Sequence, residues 1–158
     1  MWEALAAEFS DLTDAAQATR VVVRLLVAGL MGAIIGYDRE RNASPAGFRT
    51  HILVALGAAL FVIAPAQAGF SADDLSRVVQ GIVAGIGFLG AGAIMKRDES
   101  FTVRGLTTAA SIWITAAIGI AAGLGQTVTA LIATAFGLVV LGVVRTRGLH
   151  ERRGDDKG

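Results

Sequence analysis

The sequence predicts an all-α integral membrane protein, a bundle of five transmembrane helices, and three observations carry that prediction. Of 158 residues, 54% are hydrophobic and 17% charged, and the mean hydropathy is +0.62. A domain of this size cannot enclose so much apolar surface away from water, whereas a bilayer can take it up. The apolar residues fall into five runs, 21–37, 52–70, 78–95, 106–124 and 127–144. Each is near the ~17 to 25 residues that a helix needs to cross the hydrocarbon core. The charges gather at the ends of these runs, so a net charge of +1 conceals a strongly patterned distribution.

Residues 1–19 precede the first run. Their early residues are acidic and no basic region leads into an apolar core, which argues against a secretory signal. Trp2, Leu5, Phe9 and Leu12 share one side of a helical wheel, the pattern of a short amphipathic helix at the outer interface; a frayed, solvated terminus is the competing reading. The first run carries Arg24 one turn after Arg20, and both must snorkel to the nearer interface. The second contains Pro65, tolerable in a membrane helix. The link at Gly125 and Gln126 is so short that the fourth and fifth helices must form an antiparallel hairpin. Residues 20–145 are thus the transmembrane domain and 146–158 a basic tail.

Orientation follows from lysine and arginine. With the N-terminus outside, the cytoplasmic segments hold Arg39, Arg41 and Arg49, then Lys96, Arg97 and Arg104, then Arg145 and the four bases of the tail, eleven of the fourteen basic residues. The positive-inside rule therefore predicts a multi-pass protein with its N-terminus outside and its C-terminus in the cytoplasm. A weak repeat accompanies this: VAGLMGAIIGYDRE from Val27 is similar to VAGIGFLGAGAIMKRDE from Val83, each followed by an arginine, a threonine and an apolar run. Two hairpins in parallel, related by an axis along the membrane normal, would produce it, and so would chance among Gly- and Ala-rich helices.

The stretch GIGFLGAG, 85–92, has the G-x-G-x-x-G spacing of a dinucleotide-binding loop. That loop needs a strand before it, a helix after it and an acid ~20 residues on. Here the glycines lie inside an apolar run, and Asp98 and Glu99 come too early. As a helix face, Gly81, Gly85, Gly87, Gly90 and Gly92 would let backbones approach closely, which predicts that the third helix is the packing centre of the bundle or of an oligomer, a dimer favoured.

Taken together, GYDRERNASPAGFRTHILVALGAALF and GIGFLGAGAIMKRDESFTVRGLTTAASIW resemble the MgtC/SapB family of bacterial membrane proteins over roughly residues 20–145. The resemblance implies a role in adaptation to low magnesium and, in pathogens, in survival inside host cells. Full-length members carry a further C-terminal domain resembling an ACT fold, absent before Gly158 here. Thr107 stands where some relatives have asparagine.

The residues themselves place the candidate site at the cytoplasmic loops: Asp38, Arg39, Glu40, Arg49, Thr50, Arg104, Thr107 and Thr108. Asp38 and Glu40 are weak candidates for holding magnesium, because Arg39, Arg41, Arg49, Lys96, Arg97 and Arg104 outnumber Asp38, Glu40, Asp98 and Glu99. An ion-paired collar fits better, or an anion or lipid headgroup held by Arg49 and Arg104. Within the runs, Thr108, Ser111 and Thr115 form a hydroxyl stripe suited to interhelical hydrogen bonding, and no acid lies deep in any run. His51 reads as an interfacial residue and Trp113 as a packing one. With no cysteine, Walker motif or paired nucleophile and base, the residues point to a non-enzymatic protein without a cofactor. The expected partners are the bilayer, a second copy or another membrane protein, not nucleic acid. The leading expectation is a regulator acting at its cytoplasmic face, the alternative a transporter or channel for magnesium or another small ion.

Overall fold

The computed structural model describes residues 1–2, 15–96 and 103–154, with side chains described except at 95–96, 103 and 143–154. The expected N-terminal interfacial helix and the acids Asp98 and Glu99 lie outside the described residues. Five helices follow in order: α1 (Ala15–Arg41), α2 (Phe48–Gln67), α3 (Ala72–Ala93), α4 (Leu106–Gly123) and α5 (Thr127–Gly154). Between α3 and α4 two short strands, β1 (Met95–Lys96) and β2 (Val103–Arg104), pair antiparallel with Met95 opposite Arg104. Helices α1 to α4 are each long and apolar enough to cross a membrane, and in α5 the described apolar stretch is Thr127–Gly142. The protein is an all-α, multi-pass membrane bundle. Its outward faces carry Leu26, Leu53, Phe61, Phe88 and Phe136, all more than half exposed, as lipid-facing surfaces require.

Local chemistry sets the helix ends. Three helices close with the same paired hydrogen bonds around a left-handed residue. Ser44 N donates to Arg39 O and Ala43 N to Glu40 O after α1, Phe70 N to Pro65 O and Gly69 N to Ala66 O after α2, and Gln126 N to Ala121 O and Gly125 N to Ala122 O after α4. The left-handed residue is glycine at 69 and 125, with φ of 81° at each, but alanine at 43, with φ of 52°. An alanine there costs about 1–2 kcal/mol. Helix α3 starts earlier than its apolar run because Ser71 caps it: its hydroxyl accepts from Asp74 N, and the Asp74 carboxylate accepts from Ser71 N. Helices α1 and α5 likewise run past their apolar stretches, α5 into the expected tail.

The core lies between α1, α2 and α4, with Ile35, Ala55, Ala59, Ile63 and Ile118 buried in it. Half of the most apolar stretch of α4 is buried, against 11% of that of α3. This corrects the expectation that the third helix is the packing centre of the bundle and leaves the oligomer as the alternative for its glycine face. A Cβ added at Gly81, Gly85, Gly87 or Gly92 would meet nothing within 4 Å, and one at Gly90 would make an ordinary 3.6 Å contact with Ala109. The close approaches are elsewhere. A Cβ at Gly32 would fall 2.6 Å from His51 O, and one at Gly119 2.4 Å from Ala55 O. With Gly36 and Gly123 these make two i, i+4 glycine pairs, one on α1 and one on α4, both pressed onto α2.

Arg24 has a specific partner at its end of the bundle: its Nη1 donates to Gly123 O at 3.0 Å, so the guanidinium caps the C-terminal carbonyls of α4. Trp113 is half exposed. If a two-fold axis related α1–α2 to α3–α4, the contact of α1 with α4 would recur as α3 with α2. The first is extensive and the second sparse, so any such symmetry is broken at α3, which stands away from α2.

Candidate functional site

The polar residues converge where α1 ends and α2 and α4 begin. Asp38 and Arg39 sit in the last turn of α1. Arg39 Nε donates to Asp38 Oδ2 at 3.0 Å, its Nη2 donates to the same oxygen, and Asn42 Nδ2 donates to Asp38 Oδ1 at 3.1 Å. Arg39 is 7% exposed and Asp38 partly exposed, so the guanidinium is withdrawn from water and depends on its carboxylate partner at the edge of the fold. Glu40 faces elsewhere: its Oε2 accepts from Phe48 N at 2.8 Å and caps α2, whose N-cap residue, Gly47, has no side chain to do so. Asp38 and Glu40 therefore bind protein groups, not a common centre, and among the described residues no three His, Cys, Asp or Glu side chains gather as a metal site would need.

Behind this collar lies a buried chain of polar groups. His51 is fully buried between α2 and α4, with Nδ1 2.8 Å from Gly47 O and Nε2 3.1 Å from Ser111 Oγ. A carbonyl only accepts, so Nδ1 carries the proton of the neutral ring. Ser111 Oγ also lies 2.8 Å from Thr108 O, Thr115 Oγ1 donates to Ser111 O, and Ser44 Oγ meets Thr108 Oγ1 at 3.0 Å. The single Ser111 proton must serve either His51 Nε2 or Thr108 O. Only a doubly protonated ring would satisfy both contacts at once.

Of the hydroxyl stripe of α4, Ser111 bonds across to another helix, Thr108 reaches the loop between α1 and α2, and Thr115 turns back on its own backbone, so the stripe is an interhelical face only in part. Among the described residues, no buried side-chain nitrogen or oxygen lacks a partner. The fold does create a serine–histidine pair that the sequence reading did not find. Behind the histidine stands the Gly47 carbonyl, not a carboxylate, and His51 and Ser111 are only 0% and 1% exposed.

The remaining predicted residues separate. Arg49 and Thr50 are exposed on the first turn of α2 and line a cleft between α2 and α3. Thr107 lines a different cleft, between α4 and α5, together with Arg39, Asn42 and Ser111. Arg104 is exposed on β2 and lines neither of these clefts. His51, Ser111 and Ser44 are the members that sequence reasoning missed. The one available signal was that His51 and Ser111 follow the starts of α2 and α4 by similar distances, facing one another if the two helices pack.

Fold and site define a class: a multi-pass helical membrane protein with a closed polar cluster beneath one mouth of its bundle. The chain belongs to the MgtC family, whose profile matches residues 25–149. It is 53% identical over 129 residues to Protein SrpB of Synechococcus elongatus, covering 75% of this chain and 71% of that one. It is 49% identical over 113 residues to Protein MgtC of Salmonella typhimurium, covering 72% and 47%, and 45% identical over 118 residues to Protein MgtC of Brucella abortus, covering 75% and 48%. The chain spans about half the length of these MgtC proteins. No solved structure matches it.

Proposed function

We propose that the chain is a non-enzymatic regulator of the bacterial response to low magnesium, seated in the inner membrane with its arginine-rich loops in the cytoplasm, and acting there through a partner or ligand. Membership of the family supports the magnesium connection through the resemblance described above, and the loop charges support the orientation.

The observation that carries the regulator over the transporter is the fate of the carboxylates. Asp38 is taken up by Arg39 and Asn42, and Glu40 by the N-terminus of α2. A conducting site for a hard dication would offer such oxygens to the ion. Gly87 and Gly92 of α3, outside the cleft between α2 and α3, face open space and favour a protein that packs against a second copy or another membrane protein.

The test is magnesium entry into sealed liposomes, followed with an internal dye, for the wild type and Asp38→Asn. Tight liposomes holding folded protein are the expected result. Entry that requires the protein and fails in Asp38→Asn would establish a transporter and overturn this reading.

A further inference from the structure

We propose that the open cleft between α2 and α3 binds an anionic phospholipid, with the phosphate at Arg49 and Thr50 and an acyl chain running over Gly81 and Gly85. The cleft exists because α3 leans on α4 and barely touches α2. Its volume is about 770 Å³. That falls within the ~300–1,000 Å³ of ordinary ligand sites.

Leu53 and Phe61 of α2 form one wall, 68% and 62% exposed, and face the surrounding lipid. The glycines of α3 form the other wall, where their missing side chains leave the depth an alkyl chain needs. The lining is apolar except at one end, where Arg49 and Thr50 stand on the first turn of α2. Arg49 forms no ion pair and no hydrogen bond with any described residue. An apolar trough ending in a hydroxyl and a guanidinium that no described carboxylate engages has the polarity of an anionic amphiphile lying along the helix.

The second cleft supplies a contrast. It lies beside α4 as the first lies beside α2, has a similar volume of about 800 Å³, and places Thr107 at its mouth where the first has Thr50. Its guanidinium, Arg39, is already bound to Asp38, so its mouth is neutral and it has no means of selecting an anion.

A partner's transmembrane helix is the competing occupant of the α2–α3 cleft. A 20-residue helix fills a cylinder ~10 Å across and ~30 Å long, roughly 2,400 Å³. That is about three times the cleft, so such a helix would rest on its rim and would need its own acid opposite Arg49. The lipid site does not depend on the regulatory reading, since a transporter could hold the same lipid.

Native mass spectrometry of the detergent-purified protein, titrated with phosphatidylglycerol or phosphatidylethanolamine of matched chains, tests the proposal. The wild type should prefer phosphatidylglycerol roughly tenfold, the scale of one charge-assisted hydrogen bond. Arg49→Gln should abolish the preference and Arg41→Gln, outside the cleft, should keep it. Gly85→Leu, whose side chain enters open space, should lose the tightly held lipid of either kind while keeping its helical circular dichroism. If it does not fold, Leu53→Trp blocks the same cleft from the α2 side. Equal binding of the two lipids by the wild type, or an unchanged preference in Arg49→Gln, would overturn the site. So would a photo-crosslinker at Leu53 that, in native membranes, captures a polypeptide in place of lipid.

Discussion

His51 and Ser111 show how much a single buried pair can decide. Removing the serine hydroxyl leaves His51 Nε2 without a partner in a fully enclosed position, whereas removing the imidazole leaves Ser111 free to bond Thr108 O. An orphaned buried polar atom costs about 1–3 kcal/mol, while deleting both partners together is nearly neutral. Ser111→Ala should therefore lower stability by that amount, and the double variant with His51→Leu should recover most of the loss. Denaturant midpoints in mixed micelles would show this, and additive losses in the double variant would contradict the assigned contact. The sequence presented this histidine as a lone residue near a helix start. A histidine's partner here is 60 positions away, and nothing local announces it.

At the scale of the element, glycine spacing was legible but its use was not. The runs on α1, α3 and α4 all offer i, i+4 glycines, yet only Gly32 with Gly36 and Gly119 with Gly123 meet a neighbouring backbone. Gly119→Ala should destabilise by roughly 1–3 kcal/mol, because its methyl group would force α4 from Ala55 O on α2. Gly81→Ala should leave thermal unfolding in detergent unchanged. Equal sensitivity at the two positions would return α3 to the centre of the bundle. Spacing along one helix specifies a face that permits close approach, and the choice among such faces rests with what the other helices bring.

For the molecule as a whole, the absence of native cysteine makes orientation directly measurable. Single-cysteine variants Arg41→Cys, in the basic loop, and Asp73→Cys, at the acidic start of α3, should react oppositely with a membrane-impermeant thiol reagent. In intact cells only Asp73→Cys should label, and the reverse would invert the proposed topology. Helix class and the approximate positions of the spans were decided by the sequence alone, and the Ser71 cap that starts α3 ahead of its apolar run is just as local, although apolar run length did not register it. Apolar run length, a Ser-x-x-Asp cap and charged run ends act through nearest neighbours and the surrounding solvent, so one chain read end to end contains them. Which helix is central, the capture of Arg24 by the end of α4, the burial of His51 and the placing of Thr50 and Thr107 in different clefts were decided only in three dimensions. Each depends on the distance and rotation between helices far apart in sequence, and in lipid these follow from side-chain fit, because the solvent prefers no apolar face over another.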